Sequence, residues 1–322
     1  MISTGSLGAY LAHILHGRSA GGAEPAEGGE RPDGIIFDCD GVLVDVAESY
    51  GATIVRTVGY VLDWLGVRGI PPLQPRVIQT FKDTGAFNNE VDLAYAATLM
   101  MAASARARMD VGRAEAAFAD CRGVRDAADI AASLCNMSDV VGRLAYPGSG
   151  SVVQEVFDQL FYGPDLYQKI SGRESRFAEP GLIERERILL DDTTREWLHR
   201  RFGSRIGMVT GRGYESARHT LGDMMDIFNM DGSAFLEDEP RSMAKPNPKS
   251  LVSAIDAMGI RRCVYVGDSA EDLMMARAAD CGVVFVGVWG TAADRRRRQE
   301  MFLDRKADHI VKLVTGLPSV LE

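Results

Sequence analysis

Cysteine is scarce and scattered in this chain. The five thiols, Cys39, Cys121, Cys135, Cys263 and Cys281, are odd in number and form no CxxC pair. That spacing suggests neither a disulfide framework nor a zinc knuckle, and it fits a reducing, cytoplasmic setting. Long apolar runs are also missing, and none approaches the roughly 20 residues that a membrane span needs. Positive charge is in the minority, with 36 Lys and Arg against 45 Asp and Glu, a formal charge of -9. A phosphate-backbone partner would favour a basic face, so nucleic acid is not expected. The four arginines Arg295 to Arg298 read most simply as a solvated helix face. Trp64, Trp197 and Trp289 are isolated and build no stacking platform for bases. The opening MISTGSLGAYLAHILHG has no basic head and no long apolar centre, so it makes a poor signal peptide.

What is present belongs to a globular protein: 46% apolar and 25% charged residues over 322 positions, with room for a large core and a second module. The stretch from Arg18, rich in Gly, Ala and Glu, reads as a flexible linker, and residues 1–33 are expected to be an extension dispensable for chemistry. Ordered sequence opens at Ile35-Ile36-Phe37 and returns in short apolar runs at 205–209, 263–266 and 283–286, with helical sequence around them. Near-continuous apolar strands alternating with helices predict an α/β fold, a Rossmann-like parallel sheet covered on both faces. Ligands of such sheets bind beyond the carboxyl ends of the strands. Residues 46–185 have a different texture: helical spacing over 48–65, 91–105 and 152–160, and no convincing strand over 101–140. The expected division is a catalytic core of 34–45 plus 186–322, with a helical cap of 46–185 placed to act as a lid.

Four clusters at the predicted strand ends carry chemistry. Asp38 and Asp40 are two apart, so strand periodicity puts them on one side and Cys39 on the other. Two carboxylates beside Gly41 suit a hard cation. Asp38 could attack phosphorus, and Asp40 could protonate the leaving oxygen and later deprotonate water. The competing reading is an Asp pair used for turns and capping. Thr210, followed by Gly211 and Arg212, could hold phosphate oxygens at a helix start or simply cap the helix. Lys245, stiffened by Pro246 and Pro248, could offset the charge of nucleophile and phosphate, or lie on the surface. Asp268 and Asp272 follow a strand and are four apart around a loop entering a helix, so both can face one point. With Asp38 and Asp40 they would hold Mg²⁺, because so many carboxylates repel one another without a cation.

The segments IIFDCDGVLVD, GMVTGRG, KPNPKS and YVGDSAEDLMMARAA resemble, in order, the four motifs of the haloacid dehalogenase-like superfamily. The resemblance covers about 34–50 and 190–315. It implies Asp38 as nucleophile, Asp40 as acid/base, Thr210 and Lys245 as the phosphate-holding pair, and Asp268 and Asp272 as metal-site carboxylates. The cap resembles the helical type of phosphoglycolate phosphatases and beta-phosphoglucomutases, though it is longer. FKDTGAFNNEVDLAYA resembles a branch of the superfamily without a settled substrate. An aspartate at the second position favours phosphoryl chemistry, since the dehalogenases of the superfamily lack it.

The resulting expectation is a Mg²⁺-dependent phosphomonoester hydrolase acting on a small phosphorylated metabolite through an aspartyl-phosphate. Two alternatives stand beside it: a sugar-phosphate mutase of the same fold, and a silent binding or assembly protein. Monomer and homo-oligomer are both left open. Substrate choice should fall to the cap. Lys82, Asn88, Asn89 and Arg173 lie in polar, loop-like sequence there and join Gly211 and Arg212 as candidate substrate contacts. Phe87 is expected in the core, and Glu271 is expected to face solvent.

Overall fold

The structure is a computed structural model that describes residues 31–84, 86–87, 89–148 and 150–322. Of the expected extension only its last three residues are therefore described. Asp33 is anchored rather than free: its carboxylate accepts from the Arg261 and Arg262 amides at 3.0 and 2.9 Å and faces Arg205.

From there the chain runs β1 (Gly34–Phe37), β2 (Val44–Asp45), then seven helices: α1 (Tyr50–Leu65), α2 (Pro75–Asp83), α3 (Glu90–Arg106), α4 (Val111–Ala117), α5 (Val124–Leu134), α6 (Ser138–Leu144) and α7 (Val152–Ser171). It continues through β3 (Arg187–Ile188), α8 (Asp192–Phe202), β4 (Ile206–Thr210), α9 (Tyr214–Leu221), β5 (Ala234–Phe235), α10 (Lys249–Ala257), β6 (Cys263–Gly267) and α11 (Ala270–Ala278). It then passes through β7 (Val284–Val288), α12 (Arg295–Asp304) and β8 (His309–Val311).

Six strands form one parallel sheet in the order β5-β4-β1-β6-β7-β8. Period-2 side-chain alternation divides each strand between two cores. Ile35, Phe37, Val264, Val266 and Val286 pack with Trp197, Leu198 and Leu221 on one face. Ile36, Tyr265 and Phe285 pack with Leu251, Leu273 and Phe302 on the other. Each fully buried Ile or Phe contributes about 1.5–3 kcal/mol, so neither face of β1 tolerates a polar residue. This is the α/β layering that the apolar runs predict, with β1 in the middle and its carboxyl end at the centre of the sheet edge.

Helices α1 to α7 bury a third cluster of their own, including Ile54, Val58, Leu93, Met100, Phe118 and Phe157. The region 101–140 is helical, as expected. Phe87 is buried in it against Phe81. Helix α3 starts at Asn89, whose side chain accepts from the Val91 and Asp92 amides. Helix α7 runs past the expected Leu160 to Ser171, interrupted at Gly163, whose φ of 73° precedes Pro164. The chain passes between sheet and helices twice, and the two crossings pair as the antiparallel strands β2 and β3. Among the described residues no helix is long and apolar enough to cross a membrane.

Candidate active site

The carboxyl ends of β1, β4 and β6 bring three of the four sequence clusters together, and the loop before α10 brings the fourth. Asp38 follows β1 directly. Its amide donates to the Val266 carbonyl at 2.8 Å, which ties the residue to β6. The buried Asp38 carboxylate meets Lys245 Nζ at 2.8 Å, and the same ammonium reaches Asp272 Oδ1 at 2.7 Å. Asp38, Asp268 and Asp272 each offer one oxygen, all within 4.8 Å of one another. Three hard oxygen donors in that space fit a divalent cation of the Mg²⁺ or Ca²⁺ kind.

Lys245 and, at Asp268, Arg298 bring two positive charges to these three carboxylates, of which Asp38 and Asp272 are buried. Burial pushes Asp38 up to about 8 against the pull of Lys245, and Asp272, Asp268 and Asp40 add to the rise. Burial likewise raises Asp268. Asp272 goes the other way: burial works against its charge, but Lys245 and Ser269 hold it below the usual carboxylate range. The surplus negative charge is what a bound cation would neutralise.

The six expected core residues take distinct positions. Asp272 has both oxygens engaged: Oδ1 by Lys245 and Tyr265 Oη, Oδ2 by the Asp268 and Ser269 amides and Ser269 Oγ. It thereby builds the capping box that opens α11. Asp268 lies against Gly41, where a Cβ would meet its Oδ2 at 2.4 Å; the φ of +73° there also favours glycine. Thr210 ends β4 fully buried.

Asp40 lies beyond the last residue of β1, Phe37, and directly before the turn at Gly41. Its side chain is outside the three-carboxylate cluster and meets Arg212 and Tyr50 instead.

Arg212 is the clearest change among the candidate substrate contacts. It is buried and committed: Nε donates to Asp40 Oδ1 at 2.9 Å, and Nη1 and Nη2 fork onto Glu186 at 2.8 and 2.9 Å. Gly211 is exposed, with open space where a Cβ would stand, so a ligand can approach it closely. Lys82 pairs with Glu90 at 3.4 Å. Burial raises Glu90 against the pull of Lys82, and the Asp40 charge adds to the rise. Asn89 is the α3 cap, Asn88 lies outside the described residues, and Arg173 turns to Glu155 within the helical region.

Sequence reasoning missed Glu186, Tyr50, Glu90 and Arg298. The last sits in the arginine run expected to be a solvated face, yet its Nη1 reaches Asp268 Oδ2 at 3.1 Å. Two further contacts join cap to core near the site. Arg241, in the loop before Lys245, donates to Tyr146 Oη at 3.1 Å. Tyr162 Oη donates to Glu237 at 3.0 Å, and Glu237 also accepts from the Gly213 amide.

Asp158, on α7, is pushed up to about 7 by burial, with Glu237 and Glu155 adding to the rise and the Gln154 hydrogen bond opposing it. A carboxyl raised from its ordinary 3.8 holds a proton in the folded state that the unfolded chain has released. The stability it contributes is present below pH 3.8 and lost as pH rises through 7. Asp158→Asn should therefore be the more stable protein at pH 8, by roughly 1–3 kcal/mol. At pH 5 the gain should be smaller, and urea unfolding at the two pH values measures the difference.

Comparison with known proteins agrees with this architecture. An X-ray structure of a Northeast Structural Genomics Consortium target shares the fold with TM-score 0.63 and 19% identity, over 90% of this chain and 98% of that one. Phosphatase Tt82 from Thermococcus thioreducens does so with TM-score 0.54 and 23% identity, over 84% and 98%. A protein named imidazoleglycerol-phosphate dehydratase from Phytophthora nicotianae is 33% identical over 112 residues, 34% of this chain. The chain spans only 23% of that relative's length. The family described as haloacid dehalogenase-like hydrolase matches residues 32–280, which takes in β1, the helical cap and the loop after β6. By that match the chain belongs to the haloacid dehalogenase-like hydrolases.

Proposed function

We propose that this hydrolase is a Mg²⁺-dependent phosphatase of small phosphomonoesters. The observation that carries the reading is the buried Asp38 carboxylate, in contact with Lys245 and converging with Asp268 and Asp272 at the centre of the sheet edge. Asp38 is the attacking group: one of its oxygens bonds to phosphorus as the ester P–O bond breaks. Asp40 gives its proton to the departing oxygen, so the alcohol leaves neutral. Asp40 then takes a proton from water as that water attacks the aspartyl-phosphate. Inorganic phosphate leaves and the Asp38 carboxylate is restored. Thr210 and Lys245 hold the phosphoryl oxygens and balance their charge in the transition state.

Asp38 and Asp268 would hold the cation, together with the Asp40 backbone carbonyl. Asp272 lies close to it but is occupied by Lys245, Tyr265 and Ser269. Bound there, Mg²⁺ supplies charge neutralisation for the phosphoryl group and the carboxylates. The hydrogen-bonded Asp40 favours hydrolysis over a halide-displacing reaction, in which no leaving group needs a proton.

We take residues 34–45 plus 186–322 as the catalytic unit and 46–185 as the cap, whose Tyr50 reaches Asp40 directly. The five unpaired thiols support a reducing, cytoplasmic setting, and the net charge of -9 speaks against nucleic acid as substrate.

The test is a panel of phosphomonoesters with Mg²⁺: carboxylated, sugar, amino-alcohol and imidazole-bearing phosphates. The last class is included because the relative from Phytophthora is named for such a compound. We expect phosphate release from at least one class and its complete loss in excess EDTA, restored by Mg²⁺. Release that survives EDTA, or none from any class, would contradict the reading.

A further inference from the structure

Arg212 raises a question that the phosphatase reading leaves unanswered. A buried guanidinium is costly unless it is fully paired, and this one is fully paired without any ligand. It contacts Asp40 Oδ1 through Nε at 2.9 Å and Nη2 at 2.6 Å, and forks onto both oxygens of Glu186. Thr220 Oγ1 receives a further bond from Nη1 and donates to Glu186. The Glu186 side chain has no exposed surface, and Ser49 Oγ also donates to it at 3.0 Å. Asp40's other oxygen accepts from Tyr50 Oη at 3.0 Å, and the Tyr50 ring stacks on Phe161. Asp40 is thus held on one oxygen from the core and on the other from the first residue of α1.

We propose that Arg212 and Glu186, with Tyr50 opposite, are positioning residues that hold the Asp40 carboxyl in line with the leaving oxygen. Arg212 touches no substrate in this arrangement. A rigid, planar fork bound at both ends fixes direction as well as distance, and a proton donor works only within hydrogen-bond reach of the atom it protonates. Glu186 directly precedes β3, so the clamp is anchored where the chain returns from cap to core. The inference rests on the phosphatase reading, because the step it serves is the protonation of an alkoxide as its P–O bond breaks.

The test separates leaving groups. An alkyl phosphate needs that proton, whereas nitrophenolate leaves p-nitrophenyl phosphate as a stable anion without it. Arg212→Lys, Glu186→Gln and Tyr50→Phe are compared with wild type in full-length protein with Mg²⁺. Single-turnover cleavage of an alkyl phosphate is followed alongside the pre-steady-state burst of nitrophenolate. Thermal unfolding of each variant checks that it folds. In Arg212→Lys and Glu186→Gln we expect alkyl phosphate cleavage to fall about 10–100-fold. The nitrophenolate burst should stay within about threefold of wild type. Tyr50→Phe should show the same bias, more weakly. Equal losses with both leaving groups would mean a purely structural clamp, and unchanged rates would mean no role; either result overturns the proposal. The alkyl phosphate is taken from the panel class that the wild type cleaves, and a wild-type protein that cleaves no class refutes the phosphatase reading and the proposal with it.

Discussion

Asp38→Asn abolishes phosphate release, lowering kcat by roughly 10⁴-fold or more, while the protein stays folded. The two halves of this result have separate causes. An amide nitrogen or oxygen at this position is a poor nucleophile and forms no stable acyl-phosphate, so the chemical step stops. Stability should not suffer, because burial already disfavours the Asp38 charge, which is why the group is raised to about 8. Asparagine keeps the shape and removes the charge. Without metal the variant should unfold at the same temperature as wild type or higher. A stopped enzyme with an intact fold, read by steady-state assay and calorimetry together, separates chemistry from structure. An Asn variant that retains more than about a tenth of wild-type kcat contradicts the assignment.

Lys245→Met has the opposite stability signature. Its ammonium is buried between Asp38 and Asp272. Burial acts against its charge, yet those two carboxylates hold it well above the ordinary lysine value. Removing it leaves two buried carboxylates without their shared cation, and breaking such a contact costs about 3–5 kcal/mol. Asp272 is hit hardest, since it also orders the start of α11 through Ser269. Added Mg²⁺ should recover part of the loss, and Lys245→Met with Asp272→Asn should be more stable than Lys245→Met alone. Activity should fall with the single change even where Mg²⁺ restores the fold, because the phosphoryl charge has lost a partner. Unfolding in urea with and without Mg²⁺ measures the first effect, and a Lys245→Met protein as stable as wild type without metal would refute it.

Much of the fold was legible from the apolar runs. Ile35-Ile36-Phe37 and Val264-Tyr265-Val266 are buried on both faces, so they needed no polar alternation and read as central parallel strands. The helical cap could be read from spacing, since α3 is apolar on nearly every side and α1 has a clear buried face. The helix that spacing placed over 152–160 runs on to Ser171, with a kink at Gly163 that the spacing did not show.

At the site, sequence reasoning worked where a motif is local and failed where partners are distant. Asp268 and Asp272 are four apart across one loop–helix start, and their convergence follows from that. The partners of Asp40 do not follow from its neighbours, because Arg212 and Tyr50 reach it from other elements. Arg212 meets Glu186 across 26 positions, and Arg298 meets Asp268 across 30. No periodicity links such pairs; only closure of the sheet and return of the chain from the cap bring them together. Arg212, two residues after Thr210, read as a candidate substrate contact because it lies beside the residue expected to hold phosphate. The carboxylates that bind it are invisible until the chain is folded.

The central claim is that the Asp38 carboxylate becomes covalently phosphorylated during turnover. Mixing enzyme, Mg²⁺ and a substrate from the panel, quenching in acid and reducing with borohydride converts an aspartyl-phosphate into homoserine at that position. Peptide mass spectrometry should then find homoserine at position 38, present only when substrate was added and absent from the Asp40, Asp268 and Asp272 positions. Continued phosphate release with unmodified Asp38 under the same quench, or the label on another carboxylate, would contradict the account.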